Sequence, residues 1–260
     1  MRIRIFLSIL IIITIVQVSF SRPYRHLLLT SIESLPGQRI ETGGRIGILD
    51  VEGLESGLIG RATLRYGLSN QLEAAALLPY YKFQYKSDPI QDGIGKINLS
   101  LKYTKIPVGP VYLGIMGGLM LPLNKEKMIY YDTYTDATDF ELKGLFHARL
   151  GRKTAFQANI GKIFTGEGDT PTGLKVDPED IFQWDLGIGH WVMNDQLMLI
   201  LEVNGRKQDA ASYTLLTPGV RYEVKPGFIL EGFGSFPIGD DENKPYNTMF
   251  SVGFTFELNN

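Results

Sequence analysis

Glu141, Lys143, His147 and Arg149 stand at odd positions of the stretch Asp139–Leu150, while Phe140, Leu142, Phe146 and Leu150 hold even ones. Successive residues of a β-strand point to opposite faces, so this spacing gathers charge and an imidazole on one side and leaves the other apolar. The same parity collects Glu202 and Asn204, with Arg206 just beyond, in one stretch and Arg221 with Glu223 in another. Glu73, Lys102, Asp185 and Glu231 complete the set. Groups so arranged act by charge: a mixed lining in a narrow passage orients a solute and sets ion selectivity. The alternative is that the opposite charges pair across the interior and fill it.

Bond-making chemistry finds less support. The three histidines are His26, His147 and His190. His190 shares parity with Phe182, Trp184, Leu186 and Ile188, which makes it an interfacial residue, and no serine of matching parity accompanies it. A hydrolytic triad needs a nucleophile and an orienting partner beside the base. His147 lies among the charges and reads as a member of their network.

Carboxylates cluster in three loops, at Glu167, Asp169, Asp177 and Glu179 and at Asp240, Asp241 and Glu242, with Asp132 and Asp136 in the third. No calcium-loop register of Asp, Asn and Gly spaces them, so they read as solvated loop charge. With no cysteine, thiolate metal centres, disulfides and a lipoprotein anchor are excluded. No cofactor is expected.

The elements that carry these residues follow from the same alternation. Twelve strands are expected, at residues 40–50, 58–66, 71–83, 95–105, 111–123, 139–150, 154–164, 180–192, 196–205, 212–224, 227–238 and 247–258. In the second, Ile59, Arg61, Thr63 and Arg65 share one face and Leu58, Gly60, Ala62, Leu64 and Tyr66 the other. Short connections follow the even-numbered strands, as at Gly67-Leu68-Ser69-Asn70, where Gly and Asn suit left-handed turn angles, and at Gly151-Arg152-Lys153. Longer loops follow the odd-numbered strands. That asymmetry, with aromatics such as Tyr66, Tyr80, Tyr103, Trp184, Tyr222 and Phe236 near strand ends, predicts an all-β, transmembrane, antiparallel up-and-down β-barrel of about 12 strands spanning residues 39–260. A barrel of that size falls between the filled eight-stranded and open sixteen-stranded cases.

Composition agrees: 44% hydrophobic residues and a net charge of -2 exclude a disordered chain and a nucleic-acid binder relying on bulk charge. Arg2 and Arg4 precede the apolar run Ile5–Val18, and Ser19-Phe20-Ser21 supplies small residues for cleavage, so residues 1–21 read as a removed signal peptide. The run is shorter than the roughly 20 residues of a membrane-spanning helix. Residues 22–38, with Leu27-Leu28-Leu29, are either a periplasmic extension or a plug. The expected setting is the outer membrane of a Gram-negative bacterium, with lipid and lipopolysaccharide around the barrel.

Gly93-Ile94-Gly95-Lys96-Ile97-Asn98-Leu99-Ser100-Leu101-Lys102-Tyr103 resembles a recurring strand of the outer-membrane transporter family named for the meta-pathway of phenol degradation. Leu216-Thr217-Pro218-Gly219-Val220-Arg221-Tyr222 and Gly234-Ser235-Phe236-Pro237-Ile238-Gly239 are similar to the same family, which usually carries an acidic residue where Lys96 stands. The resemblance implies a monomeric barrel passing small, aromatic or hydrophobic molecules, and it supplies no substrate residue. The expected function is therefore passive passage of small molecules. Two other readings stay open: a phospholipase-like barrel enzyme, and an adhesin-like barrel whose contact would be Tyr130, Tyr131 and Tyr134.

Overall fold

The computed structural model describes residues 34–51, 54–85, 90–108, 111–123, 135–170, 173–193, 196–208, 212–239 and 245–258. The expected signal peptide, His26, the three loop tyrosines, Asp132 and the Asp240-Asp241-Glu242 cluster lie outside these residues.

Among the described residues there are fifteen strands: β1 (Ile40–Asp50), β2 (Leu54–Gly67), β3 (Leu72–Tyr85), β4 (Gln91–Ile94), β5 (Ile97–Val108), β6 (Val111–Leu121), β7 (Asp139–Leu150), β8 (Thr154–Phe164), β9 (Gly168–Asp169), β10 (Lys175–Val176), β11 (Ile181–Val192), β12 (Leu197–Lys207), β13 (Tyr213–Lys225), β14 (Phe228–Pro237) and β15 (Thr248–Leu258). β9 and β10 pair only with each other, and β4 with β5 forms one interrupted stave, so the wall has twelve staves. Neighbours along the chain pair antiparallel throughout. β1 closes the ring by pairing with β2 through Ile40↔Tyr66 and with β15 through Ile40↔Leu258. Closure matters physically, because a sheet inside a bilayer has no water to satisfy an open edge.

Alternation decides which way each side chain faces. In β1, Glu41, Gly43, Gly47 and Leu49 are buried, whereas Ile46 and Ile48 are 56% and 67% exposed. Leu113 and Ile115, Leu199 and Leu201, and Phe250, Val252 and Phe254 repeat the pattern on β6, β12 and β15. A continuous exterior of exposed Leu, Ile, Val and Phe is unstable against water and stable against hydrocarbon. Tyr66, Tyr80, Tyr103, Trp184, Tyr222 and Phe236 all occupy outward positions.

Four local expectations are corrected. β2 starts at Leu54, so the link from β1 is residues 51–53 and not a long loop; pairing with β3 down to Leu54↔Tyr85 draws residues 54–57 into the wall. The loop Thr165–Glu179 folds a hairpin, β9–β10, and its Asp169 N–H donates to Asp136 Oδ1 at 2.9 Å, so Asp136 is buried and orders a loop instead of standing as solvated charge. The fourth expected strand breaks at Gly95-Lys96. There Gly95 packs where a Cβ would stand 2.7 Å from Tyr81 Cε2, and buried Lys96 meets Asp139 Oδ2 at 2.6 Å. The turn after β2 does not use left-handed Gly67 or Asn70; Ser69 Oγ instead accepts the N–H groups of Gln71 and Leu72 at 3.2 and 3.1 Å. Left-handed glycines do serve the turns at Gly151 (φ 82°) and Gly227 (φ 79°).

Candidate functional site in the barrel lumen

The inward positions of the staves carry five polar groupings. Near the short-turn end, Arg65 joins Glu41 at 2.7 Å and Glu73 at 2.7 Å, and Lys102 Nζ lies 3.2 Å from Glu73. Register makes this possible, since Glu41↔Arg65, Arg65↔Ala75 and Glu73↔Lys102 are cross-strand partners or diagonal neighbours on β1, β2, β3 and β5. Across β1, β13 and β14, Arg45 Nε donates to Glu231 Oε1 at 3.1 Å, and Arg221 Nε lies 3.7 Å from Glu231 Oε2.

On the facing arc, Lys143 Nζ sits 2.9 Å from Glu141, whose two oxygens also accept from Gln183 and from Asn98 Nδ2 at 3.3 Å. A hydrogen-bonded ladder follows. Asn204 donates to Asp185 at 3.1 Å and lies 3.4 Å from the Thr217 hydroxyl, which reaches Ser235 at 3.0 Å and through it Tyr246 at 2.9 Å. Toward the short-turn rim, the Tyr112 ring meets His147 edge-on at 5.6 Å and carries the Arg149 guanidinium 5.2 Å from its centroid.

Each residue expected in the lining therefore has an inward position. Glu73 with Lys102, Glu141 with Lys143, and Arg221 with Glu231 are brought together as pairs. Asp185 stands at the head of the hydrogen-bonded ladder, Glu202 is fully buried, and Arg206 and Glu223 stand near opposite ends of the barrel, on β12 and β13. Glu41, Arg45 and Lys96 belong to the same networks and follow from the same parity. His190 faces outward beside the short-turn rim, where Thr154 Oγ1 lies 2.8 Å from its Nδ1. Among the described residues no cluster of three or more His, Cys, Asp or Glu is arranged to hold a metal.

The interior also holds an apolar strip that charge spacing did not reveal. Leu49, Ile59, Tyr81, Phe83, Leu215, Met249 and Tyr246 form one contiguous buried cluster with Phe233, Ile200, Met198, Trp191 and Ala155. Leu49 is one residue from the long-loop end of β1, and Ala155 is one residue from the short-turn end of β8. The cluster thus runs the length of the barrel, entering beside β1, β2 and β3 and leaving beside β8, β11 and β12. The sequence did carry a signal for it: Leu197-Met198-Leu199-Ile200-Leu201 is apolar on both parities, so its inward face cannot be polar.

No protein-family model matches the chain, and no curated protein matches it. Solved structures do. The COG4313 outer membrane channel from Pseudomonas putida F1 aligns over 90% of this chain and 100% of its own, with a TM-score of 0.70 and 15% identity. The NanC porin aligns over 84% and 100%, at TM-score 0.61 and 9% identity. The CymD monoaromatic hydrocarbon channel aligns over 86% and 90%, at TM-score 0.52 and 10% identity. The chain thus has the barrel fold of outer-membrane channels and porins.

Proposed function

We propose that this chain is an outer-membrane channel for the passive passage of small solutes with an apolar, ring-sized body, and that it is not an enzyme. The observation that carries the reading is the continuous apolar strip from one mouth to the other, set beside paired charges. Tyr81, Phe233 and Met198 are packed against the buried strip, so a ring passes by parting these side chains and keeps apolar contact as it does, while a polar substituent stays within reach of the arginines and carboxylates. Three further features support it: the lipid-suited exterior, the likeness to channels and porins, and the strand motifs resembling the family named for the meta-pathway of phenol degradation. A monomer surrounded by lipid and lipopolysaccharide, secreted with the help of residues 1–21, completes the reading.

The test is solute release from proteoliposomes with probes whose permanent charge keeps them from crossing lipid unaided. Benzenesulfonate is compared with methanesulfonate, and benzyltrimethylammonium with tetramethylammonium. Faster protein-dependent release of both aromatic ions supports the reading; no protein-dependent release of any of the four refutes it.

A further inference from the structure

On the wall strands from β6 through β15, the outward face toward the long loops carries two charged residues among those described, Lys162 of β8 and Lys207 of β12. Register sets them in one row. Phe182 of β11 is the cross-strand partner of both, so the order across three adjacent strands is Lys162, Phe182, Lys207. The Cα atoms of the two lysines therefore stand two interstrand spacings apart, roughly 10 Å. Two lysine arms flanking one ring can converge on a single group of phosphate size.

The surroundings narrow what that group is. One step toward the middle of the wall the row becomes Ile160, Trp184 and Gly205. Ile160 is 59% exposed, and Trp184 packs against bare Gly205, where a Cβ would overlap the indole. The next row again is Ala158, Leu186 and Val203. A cation pair thus stands over apolar surface that suits hydrocarbon. Lysine at a lipid-facing position is costly in the middle of a bilayer and tolerated where its ammonium reaches the headgroups. The Lys162 side chain is 48% exposed, with Nζ 2.7 Å from Asp180 Oδ2 and 5.0 Å from the centroid of the Phe164 ring, and Lys207 is exposed. Asp180 takes one of the three N–H donors of Lys162 and leaves two for another anion. The long loops of outer-membrane barrels are extracellular, so these rows face the outer leaflet.

We infer that Lys162, Phe182 and Lys207 form a docking site for lipopolysaccharide, with a phosphate of its lipid A between the two ammonium groups and its acyl chains against Ile160, Trp184 and Leu186. The site rests on the outer-membrane setting proposed above and not on what passes through the lumen. Charge complementarity selects the occupant: the phosphate answers the lysines, and the chains beneath it answer the apolar rows. The contacts to phosphate are charge-assisted hydrogen bonds at the edge of a low-dielectric layer, where they are stronger than in water.

The test titrates the folded protein in detergent micelles with diphosphoryl lipid A, with the same lipid A stripped of its phosphates, and with phosphatidylglycerol, counting bound lipid by native mass spectrometry. Lys162→Gln with Lys207→Gln is expected to weaken diphosphoryl lipid A binding at least tenfold and to leave binding of the dephosphorylated lipid unchanged. Lys207→Gln alone, which keeps the Lys162–Asp180 pair, is expected to weaken it severalfold, and mobility on unheated gels checks that each variant is folded. Lys82→Gln removes an exposed cation from the same end of β3, where Asp92 stands opposite in register, and is expected to change nothing. Equal affinity of the double variant and the unaltered protein overturns the site, as does an equal loss on Lys82→Gln. An equal loss of phosphatidylglycerol binding overturns lipopolysaccharide as the occupant. An unaltered protein that takes up no diphosphoryl lipid A overturns the site together with the lipopolysaccharide setting, while solute release decides the channel reading separately.

Discussion

The Arg45 guanidinium lies 4.8 Å from the centroid of the Phe233 ring while its Nε donates to Glu231. Midway through the barrel, one residue pair thereby joins the apolar strip to the charge network. Phe233 is in van der Waals continuity with Ile200 and Leu215, and Arg45 brings the positive charge to its face. A cation held over an aromatic ring is attracted by the ring's negative face, by about 0.5–1 kcal/mol or more once water is excluded. Phe233→Leu keeps an apolar side chain and removes that face. We expect the preference for benzenesulfonate over methanesulfonate to fall severalfold with the channel still open, as read from release rates.

On the channel reading, the paired charges are expected to set ion selectivity. Lys143→Ala with Arg221→Ala removes one cation beside Glu141 and one beside Glu231, leaving those carboxylates less compensated. The reversal potential in a salt gradient is expected to move toward cation selectivity. An unchanged potential would mean that ions do not pass these residues.

Lys96 and Asp139 hold the interrupted stave to β7 with side chains only 2% and 4% exposed. Removing one partner strands a buried charge, which costs about 3–5 kcal/mol. Lys96→Met alone should lower the urea midpoint strongly. Lys96→Met with Asp139→Leu should recover most of the loss, because neither charge then remains buried and alone.

Asp180 lies outside the wall, with Oδ2 2.7 Å from Lys162 Nζ and Oδ1 accepting the Thr165 N–H at 3.1 Å. The Lys162 hydrogen bond, ahead of the backbone one, holds its carboxyl below the ordinary carboxylate value. The sign follows: the stabilisation is complete above the unfolded carboxylate's pKa and is lost as pH falls through the lower, folded value. NMR titration of the Asp180 side chain should give a midpoint below that of an unstructured aspartate, and Lys162→Met should raise it.

Much of this molecule is written in alternation. Asp139–Leu150 and Thr154–Phe164 read as strands with the observed ends because every second residue changes character, and the same parity turned Glu73, Lys102 and Glu231 inward. Two features escaped for physical reasons. Apolar residues suit both lipid and a dry interior, so Leu49, Ile59 and Phe233 are recognised as inward only once register fixes their parity. Leu35, buried with its N–H on Glu73, meets a bare glycine at position 67 far later in the chain, and a local pattern carries no record of that approach. Gly67 serves close contact with the backbone of Leu35 and Pro36 and not a left-handed turn.

The most direct test of the apolar pathway is a single isosteric change at its inner end. Met198 is fully buried within the strip, and Met198→Gln keeps its length and volume while placing an amide where a ring must pass. In proteoliposomes whose barrel runs as folded on unheated gels, we expect benzenesulfonate release to drop at least fivefold while methanesulfonate release stays unchanged. Aromatic release equal to that of the unaltered protein would contradict the pathway.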